Sequence, residues 1–129
     1  MDQSLTIKEV ANLTGLSGHT LRYYERIGLL DAIERAPNGH RRYSERDVAW
    51  IEFLNRLRLT GMPIRRMQDF ADLRRQGDAT FQQRCCLLEG HEQALRQQIA
   101  ELEEHLTAIQ YKIHHYKSLE ETHGTNTTR

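Results

Sequence analysis

Two guanidiniums and two phenols crowd into the stretch LRYYER, residues 21–26. Arginine carries a planar fork of donors that matches phosphate oxygens and guanine edges, and tyrosine adds a ring tipped with a hydroxyl. That is chemistry for gripping a polyanion, and a helix that only had to be buried would need neither residue. Three more arginines, Arg35, Arg41 and Arg42, bracket the turn residues Pro37-Asn38-Gly39. Thiol chemistry is confined to the adjacent pair Cys85 and Cys86. Neighbouring cysteines bridge only through a strained ring, so free thiols in a reducing compartment are expected. On a helix they point about 100° apart and cannot readily grip one ion. They would lie in the first two turns of a long helix, where the dipole and Arg84 favour a thiolate, which makes them candidate sensor thiols. Inert packing is the competing reading. His91, His105, His114, His115 and His123 follow them. His91 and His105 stand two heptads apart, about 21 Å by helical rise, too far to share a metal. No metal, cofactor or enzyme activity is expected, because no ligand cluster, phosphate loop or nucleophile-and-base set emerges.

The chain has 129 residues and a formal net charge of zero, but the charge is unevenly divided. Residues 1–75 hold 13 Lys/Arg against 10 Asp/Glu, and residues 76–129 hold 5 against 8. All but one of the N-terminal cations are arginine, as expected of a half that meets a polyanion. The start, MDQSLTIKEV, lacks the basic and apolar blocks of a signal peptide, and apolar windows are interrupted every few residues. A cytoplasmic protein with no membrane partner is expected.

The fold that must position these groups reads as mainly α. Thr6 and Glu9 form a capping box, Ile7, Val10, Ala11 and Leu13 line one face, and Gly15 ends a short helix. Ser17 caps the next, with Leu21, Tyr24 and Ile27 recurring at helical spacing. Helix, glycine turn, helix is the helix-turn-helix pattern. Leu21 and Tyr24 then face inward, while His19, Thr20, Arg22, Tyr23 and Arg26 spread over the outer arc that a helix needs in order to enter a DNA groove. Asn38-Gly39 predicts a type I′ hairpin, in which both residues adopt positive φ, as the tip of a wing. Ser44 with Asp47, then Val48, Ile51, Leu54 and Leu57 with Trp50 or Phe53, predict a third helix closed by Gly61. Pro63 opens a fourth, carrying Ile64, Met67, Phe70, Ala71 and Leu73. The DNA-binding head is placed at residues 4–75.

A long helix is predicted over residues 79–121, with a frayed tail at 122–129. Its apolar residues keep a heptad register: Leu88, Leu95, Leu102, Ile109 and Tyr116 on one seam position, Ile99, Leu106 and Ile113 on the other. A long helix with one narrow apolar stripe is not stable alone, so pairing with a second copy of the chain is expected. Leu at one seam position and Ile at the other would by themselves favour a parallel pair.

The order TIKEVANLTGLSGHTLRYYERIGLL, APNGHRRYSERD, LTGMPIRRMQDF and a helix ending YKIHHY closely resembles the MerR family of bacterial transcription regulators, over about residues 4–119. The resemblance implies a winged helix-turn-helix head, a homodimer through an antiparallel coiled coil, a two-fold-related operator in promoter DNA, and RNA polymerase as a partner. It further implies that an effector or stress signal switches how strongly the duplex is distorted. Carried over residue by residue, the recognition helix is Ser17 to Arg26, including Tyr24. The wing contacts are Asn38, Gly39, His40, Arg41, Arg42 and Tyr43, and Arg65 matches a basic phosphate-contacting position. Soft-metal and iron–sulfur members carry cysteines after the coiled coil, where this chain has none. Drug-sensing members carry a large C-terminal domain, which residues 117–129 are too few to form. The short branch associated with aldehyde and electrophile stress is most similar, and its third-helix cysteine falls at Arg56 here. A coiled-coil module whose head binds protein rather than DNA is the alternative, and it leaves the wing arginines without a role.

Overall fold

The first helix begins where its capping box predicts. In the computed structural model, which describes residues 4–127 and side chains through residue 123, α1 spans Ile7–Thr14. Glu9 N donates to Thr6 Oγ1 at 3.1 Å, and Thr6 N donates to Glu9 Oε1 at 2.8 Å. These bonds satisfy backbone donors that the first turn leaves without intrahelical partners. Gly15, in the left-handed region at φ 76°, stops α1 by sending its N–H back to the Ala11 carbonyl. Val10 is wholly buried, but Leu13, expected on the same face, is exposed in the last turn of α1, next to the Gly15 cap.

Ser17 then caps α2, Gly18–Arg26, whose buried residues are Leu21 and Tyr24. α3 spans Glu45–Leu59 behind a Ser44/Asp47 capping box, and α4 spans Ile64–Arg75 behind Pro63. Trp50, Ile51, Leu54 and Leu57 of α3 meet Met67, Phe70 and Ala71 of α4. Trp50 stacks on Phe70 at 5.8 Å between ring centroids, and Phe53 leans on both. The Trp50 indole N–H donates to the Leu29 carbonyl at 2.8 Å, so the chain leaving α2 is pinned to α3 at a buried point.

The wing forms, with a different turn from the predicted one. Among the described residues only glycines have positive φ, so Asn38 is not left-handed and the type I′ assignment fails. Gly39 N donates to Ala36 O, and Ala36 N donates to His40 O, closing a three-residue loop. Pro37 is the reason: its fixed φ suits the second residue of an ordinary turn, and Gly39, at φ 87°, supplies the single left-handed residue that rejoins the two flanks. Asn38 acts instead through its side chain, whose Oδ1 accepts His40 N at 3.0 Å. Arg35 and Arg41 pair across the hairpin, and Tyr43 pairs with Leu5 through two backbone bonds of 2.7 and 2.8 Å. The N-terminal segment is thus a third partner of the wing.

Gly39→Ala is expected to cost about 1 kcal/mol, from backbone strain and not from crowding, because a Cβ there meets nothing within 4 Å. Urea unfolding of the variant against the parent measures it.

After α4, Gly77 (φ 87°) breaks the helix, Asp78–Thr80 makes one 3₁₀ turn, and α5 runs Phe81–Thr127. α5 therefore continues past Glu121 into the stretch expected to fray; residues 128 and 129 lie outside the described residues. The compact unit that contains the head runs on to Glu89, because Leu87 and Leu88 in the opening turns of α5 pack against the head core. From Gly90 on, α5 forms a second unit. On that unit Ile99, Leu102, Leu106, Ile109, Ile113 and Tyr116 are exposed, with Leu95 half-buried. Among the described residues no helix is long and apolar enough to cross a membrane.

Candidate nucleic-acid interface

α2 presents its polar arc outward. His19, Arg22, Tyr23 and Arg26 are all exposed, and the Arg26 guanidinium lies 5.5 Å from the Tyr23 ring centroid. Ser17 and Thr20, also expected at the interface, spend their hydroxyls on the cap. Ser17 Oγ accepts Thr20 N at 3.0 Å and lies 3.0 Å from Thr20 Oγ1.

Arg22 stands at the junction of two grooves. One, of about 400 Å³, is lined by His19, Arg22, Glu25, Arg26 and Arg41. The other, of about 410 Å³, runs from Thr6 and Ile7 past Arg22 to the wing residues Arg35–Ala36 and Asn38–Arg42. α2, the N-terminus of α1 and the wing therefore converge on one basic surface, and Arg22 and Arg41 line both grooves.

The wing arginines are not three equivalent cations. Arg35 Nη1 donates to Gly39 O at 2.8 Å and closes the turn from outside. Arg42 holds the N-terminal segment, with Nε on Ser4 Oγ and Nη2 on Ser4 O, both at 3.0 Å. Arg41 Nε donates to Glu25 Oε1 at 2.7 Å, a pair whose side chains are roughly four-fifths covered. Glu25 Oε2 also accepts Ile33 N at 3.3 Å. One carboxylate on the inner edge of α2 thus fixes both the base of the wing and its cationic arm.

Sequence reasoning passed over Glu25, although a lone acid inside an otherwise basic run was the signal for it. Gln68 was also missed: its Nε2 donates to Ile27 O at 2.9 Å and holds the end of α2 from α4. Nothing in the local pattern marks that bond, which spans 41 residues of sequence.

Tyr24 and Tyr43 leave the list of contacts. Both are fully buried, and they are among the largest side chains of the core. Tyr24 sits three residues after Leu21 on the inward stripe, and Tyr43 is drawn in by the Leu5 pairing. Neither hydroxyl has a hydrogen-bond partner among the described residues. Burial raises both phenol pKa values above the ordinary 10, with nearby Arg58 pulling Tyr24 down and Arg41 pulling Tyr43 down more weakly. The stabilising contribution is present below pH 10 and lost as pH rises through the native values, because only the unfolded chain then releases protons freely. Tyr24→Phe/Tyr43→Phe is expected to match or exceed the parent by up to about 1 kcal/mol at neutral pH, since an unpaired buried hydroxyl is removed. The same variant should flatten the alkaline loss of stability seen in urea titrations repeated above pH 10.

Arg65 is exposed in the first turn of α4 and lines neither groove. Cys85 and Cys86 are free, exposed thiols on this chain. Arg84, expected beside them, points back to Thr80 Oγ1 (3.1 Å) and Gly77 O (2.8 Å) and lies over the Phe81 ring. Among the described residues no group of three His, Cys, Asp or Glu side chains could hold a metal ion. Leu88, expected to open the seam, is half-buried against the head core.

Residues 5–73, the α1-to-α4 head, match the profile of the MerR HTH family regulatory proteins. The chain belongs to the MerR family. A Haemophilus influenzae HTH-type transcriptional regulator is 35% identical to this MerR-family chain over 112 residues, 87% of this chain and 83% of that protein. The crystal structure of a putative MerR family transcriptional regulator from Listeria monocytogenes superposes with a TM-score of 0.86 at 35% identity, covering 95% and 97% of the two chains. HiNmlR, a MerR family regulator lacking the sensor domain and crystallised on promoter DNA, gives 0.82 at 33% identity, covering 92% and 94%.

Proposed function

We propose that this MerR-family transcriptional regulator acts as a homodimer that grips and distorts double-stranded promoter DNA. The observation that carries the reading is the convergence of Arg22, His19 and Arg26 of α2 with Arg41 of the wing around shared grooves outside the core. Phosphates lying along these grooves meet guanidiniums from two elements, while the exposed arc of α2 reaches base edges. HiNmlR, similar over nearly the whole chain, is bound to promoter DNA, which supports the same assignment here. His19, Thr20, Arg22, Tyr23 and Arg26, together with Asn38, Gly39, His40 and Arg41, make up the contact surface, and Arg65 adds a phosphate contact by family resemblance.

The second copy is recruited along α5. Six apolar side chains from Ile99 to Tyr116 stand exposed on the chain alone, at the spacing of a heptad seam. Antiparallel pairing, as the family resemblance implies, sets two heads on one face of the duplex. Bending that duplex costs a few kcal/mol, and so turns protein geometry into promoter alignment for RNA polymerase.

Fluorescence anisotropy with the chain's own upstream region, at several salt concentrations and alongside a footprint, tests this. Salt-sensitive binding with a two-fold footprint is the expected result, and salt-independent binding or a single asymmetric half-site would reject it. Within the same reading the exposed Cys85 and Cys86 are the thiols that an electrophile would reach. Replacing both with Ser should abolish induction by aldehydes or oxidants, and undiminished induction would remove them from the mechanism.

A further inference from the structure

A third cleft, of about 470 Å³, opens within the head where α4 gives way to α5. Arg46 comes to it from the first turn of α3, Arg74 and Arg75 from the end of α4, and Arg84 from the start of α5; Asp31 and Asp78 share the lining. Four cations face two carboxylates in the lining, and counting Asp72, which pairs with Arg75 from outside it, the cleft keeps an excess of one positive charge.

Two of the guanidiniums are held in place by aromatic rings. Arg74 lies 4.2 Å from the Trp50 ring centroid and Arg84 lies 4.6 Å from that of Phe81, so their forks are already ordered. Neither is closely neutralised. Arg74 meets Asp31 only at 3.7 Å, and the partners of Arg84 are the Gly77 carbonyl and the Thr80 hydroxyl. Arg46 is exposed and makes no ion pair among the described residues. Arg75 alone is fully paired, with Asp31 at 2.6 Å and Asp72 at 3.0 Å.

The cleft has the size of a small-ligand site, about 300–1,000 Å³, but a lining of cations instead of apolar walls. An apolar ligand would strip water from guanidiniums and return nothing. An oxyanion would replace that water with charge-assisted, bidentate bonds. Asp31 sets the required valence, because a monoanion offers Arg75 no more than the carboxylate it already has.

We propose that this cleft binds a small metabolite carrying two or more oxyanion charges, of the phosphate or carboxylate type. Such a ligand would tie α3, α4 and the opening turns of α5 together. The assignment does not depend on DNA binding.

The test is thermal unfolding of the full chain titrated with pyrophosphate or citrate, against acetate and NaCl at matched ionic strength. A saturable rise in Tm with pyrophosphate or citrate, absent with acetate and NaCl, is expected, and the stronger of the two identifies the oxyanion class. Arg84→Gln and Arg46→Gln should each weaken the apparent affinity about tenfold. Arg46, exposed and unpaired, can be changed without disturbing the fold. Arg22→Ala, which removes the cation shared by the DNA-facing grooves, should leave the shift intact. A shift reproduced by NaCl, one undiminished in Arg46→Gln, or one abolished by Arg22→Ala would overturn the proposal. So would an Arg46→Gln loss of duplex affinity as large as that of Arg22→Ala, because the cleft would then be a DNA contact.

Discussion

Leu106→Asp is expected to leave the head folded and to cut operator affinity by about a hundredfold or more. Leu106 lies on the exposed stripe of α5, well beyond the head unit, which ends at Glu89. A carboxylate there has no cation three or four residues away on its own helix, and burying it unpaired in the proposed seam costs several kcal/mol. In the proposed homodimer the pairing, not the fold, absorbs that cost. Once the chains separate, each head binds its half-site alone, and the gain from tethering two heads, about 10² to 10⁴, disappears. Light scattering should show a monomer, near-UV circular dichroism should still report Trp50 packed against Phe70, and anisotropy should record the lost affinity. A variant that remains dimeric, or a monomer that binds its operator as tightly as the parent, would refute the arrangement.

Arg22→Ala is the second large effect, and its value lies in the contrast with Arg41 and Glu25. Arg22 is exposed and shared by both grooves, so its loss should weaken binding by tens of fold. The salt dependence should flatten by roughly 0.9 per lost phosphate contact, and so by about 1.8 for a dimer. Arg41→Ala should be at least as damaging, for a different reason: it strands Glu25, whose carboxylate would then face the phosphates unneutralised. Glu25→Gln should do the reverse. By freeing Arg41 it should raise affinity for unrelated duplex and lower the ratio of specific to non-specific binding, because the wing is no longer held to α2. The double variant Arg41→Ala/Glu25→Gln should then recover part of the Arg41→Ala loss. Additive effects in that cycle would mean that the pair is incidental to binding.

Much of the head was legible in one dimension because its determinants are local. A hydroxyl three residues before a carboxylate starts α1 and α3, glycine or proline ends or opens the helices, and apolar spacing identified Val10, Leu21, Ile51, Leu54 and Met67 as core. The polar outer arc of α2 followed from the same periodicity, since whatever is not on the inward stripe must face solvent. Family membership was equally readable, because it rests on the order of those local signals.

What the sequence could not specify were the contacts between residues far apart in it. Arg41 and Arg42 are chemically alike and adjacent, yet one closes on Glu25 and the other on Ser4. Tyr43 reads as a wing contact until the Leu5 pairing turns it inward. Leu88 reads as the start of the seam until the head core claims the first turns of α5. A cation's partner depends on which surfaces folding brings within about 3 Å, and periodicity along one helix carries no information about the neighbour it will meet. Residue types and spacing therefore determined that an arginine-rich helix-turn-helix and a long helix with an apolar stripe would exist. Only tertiary packing decided which arginines stand exposed and which close on Glu25 or Ser4.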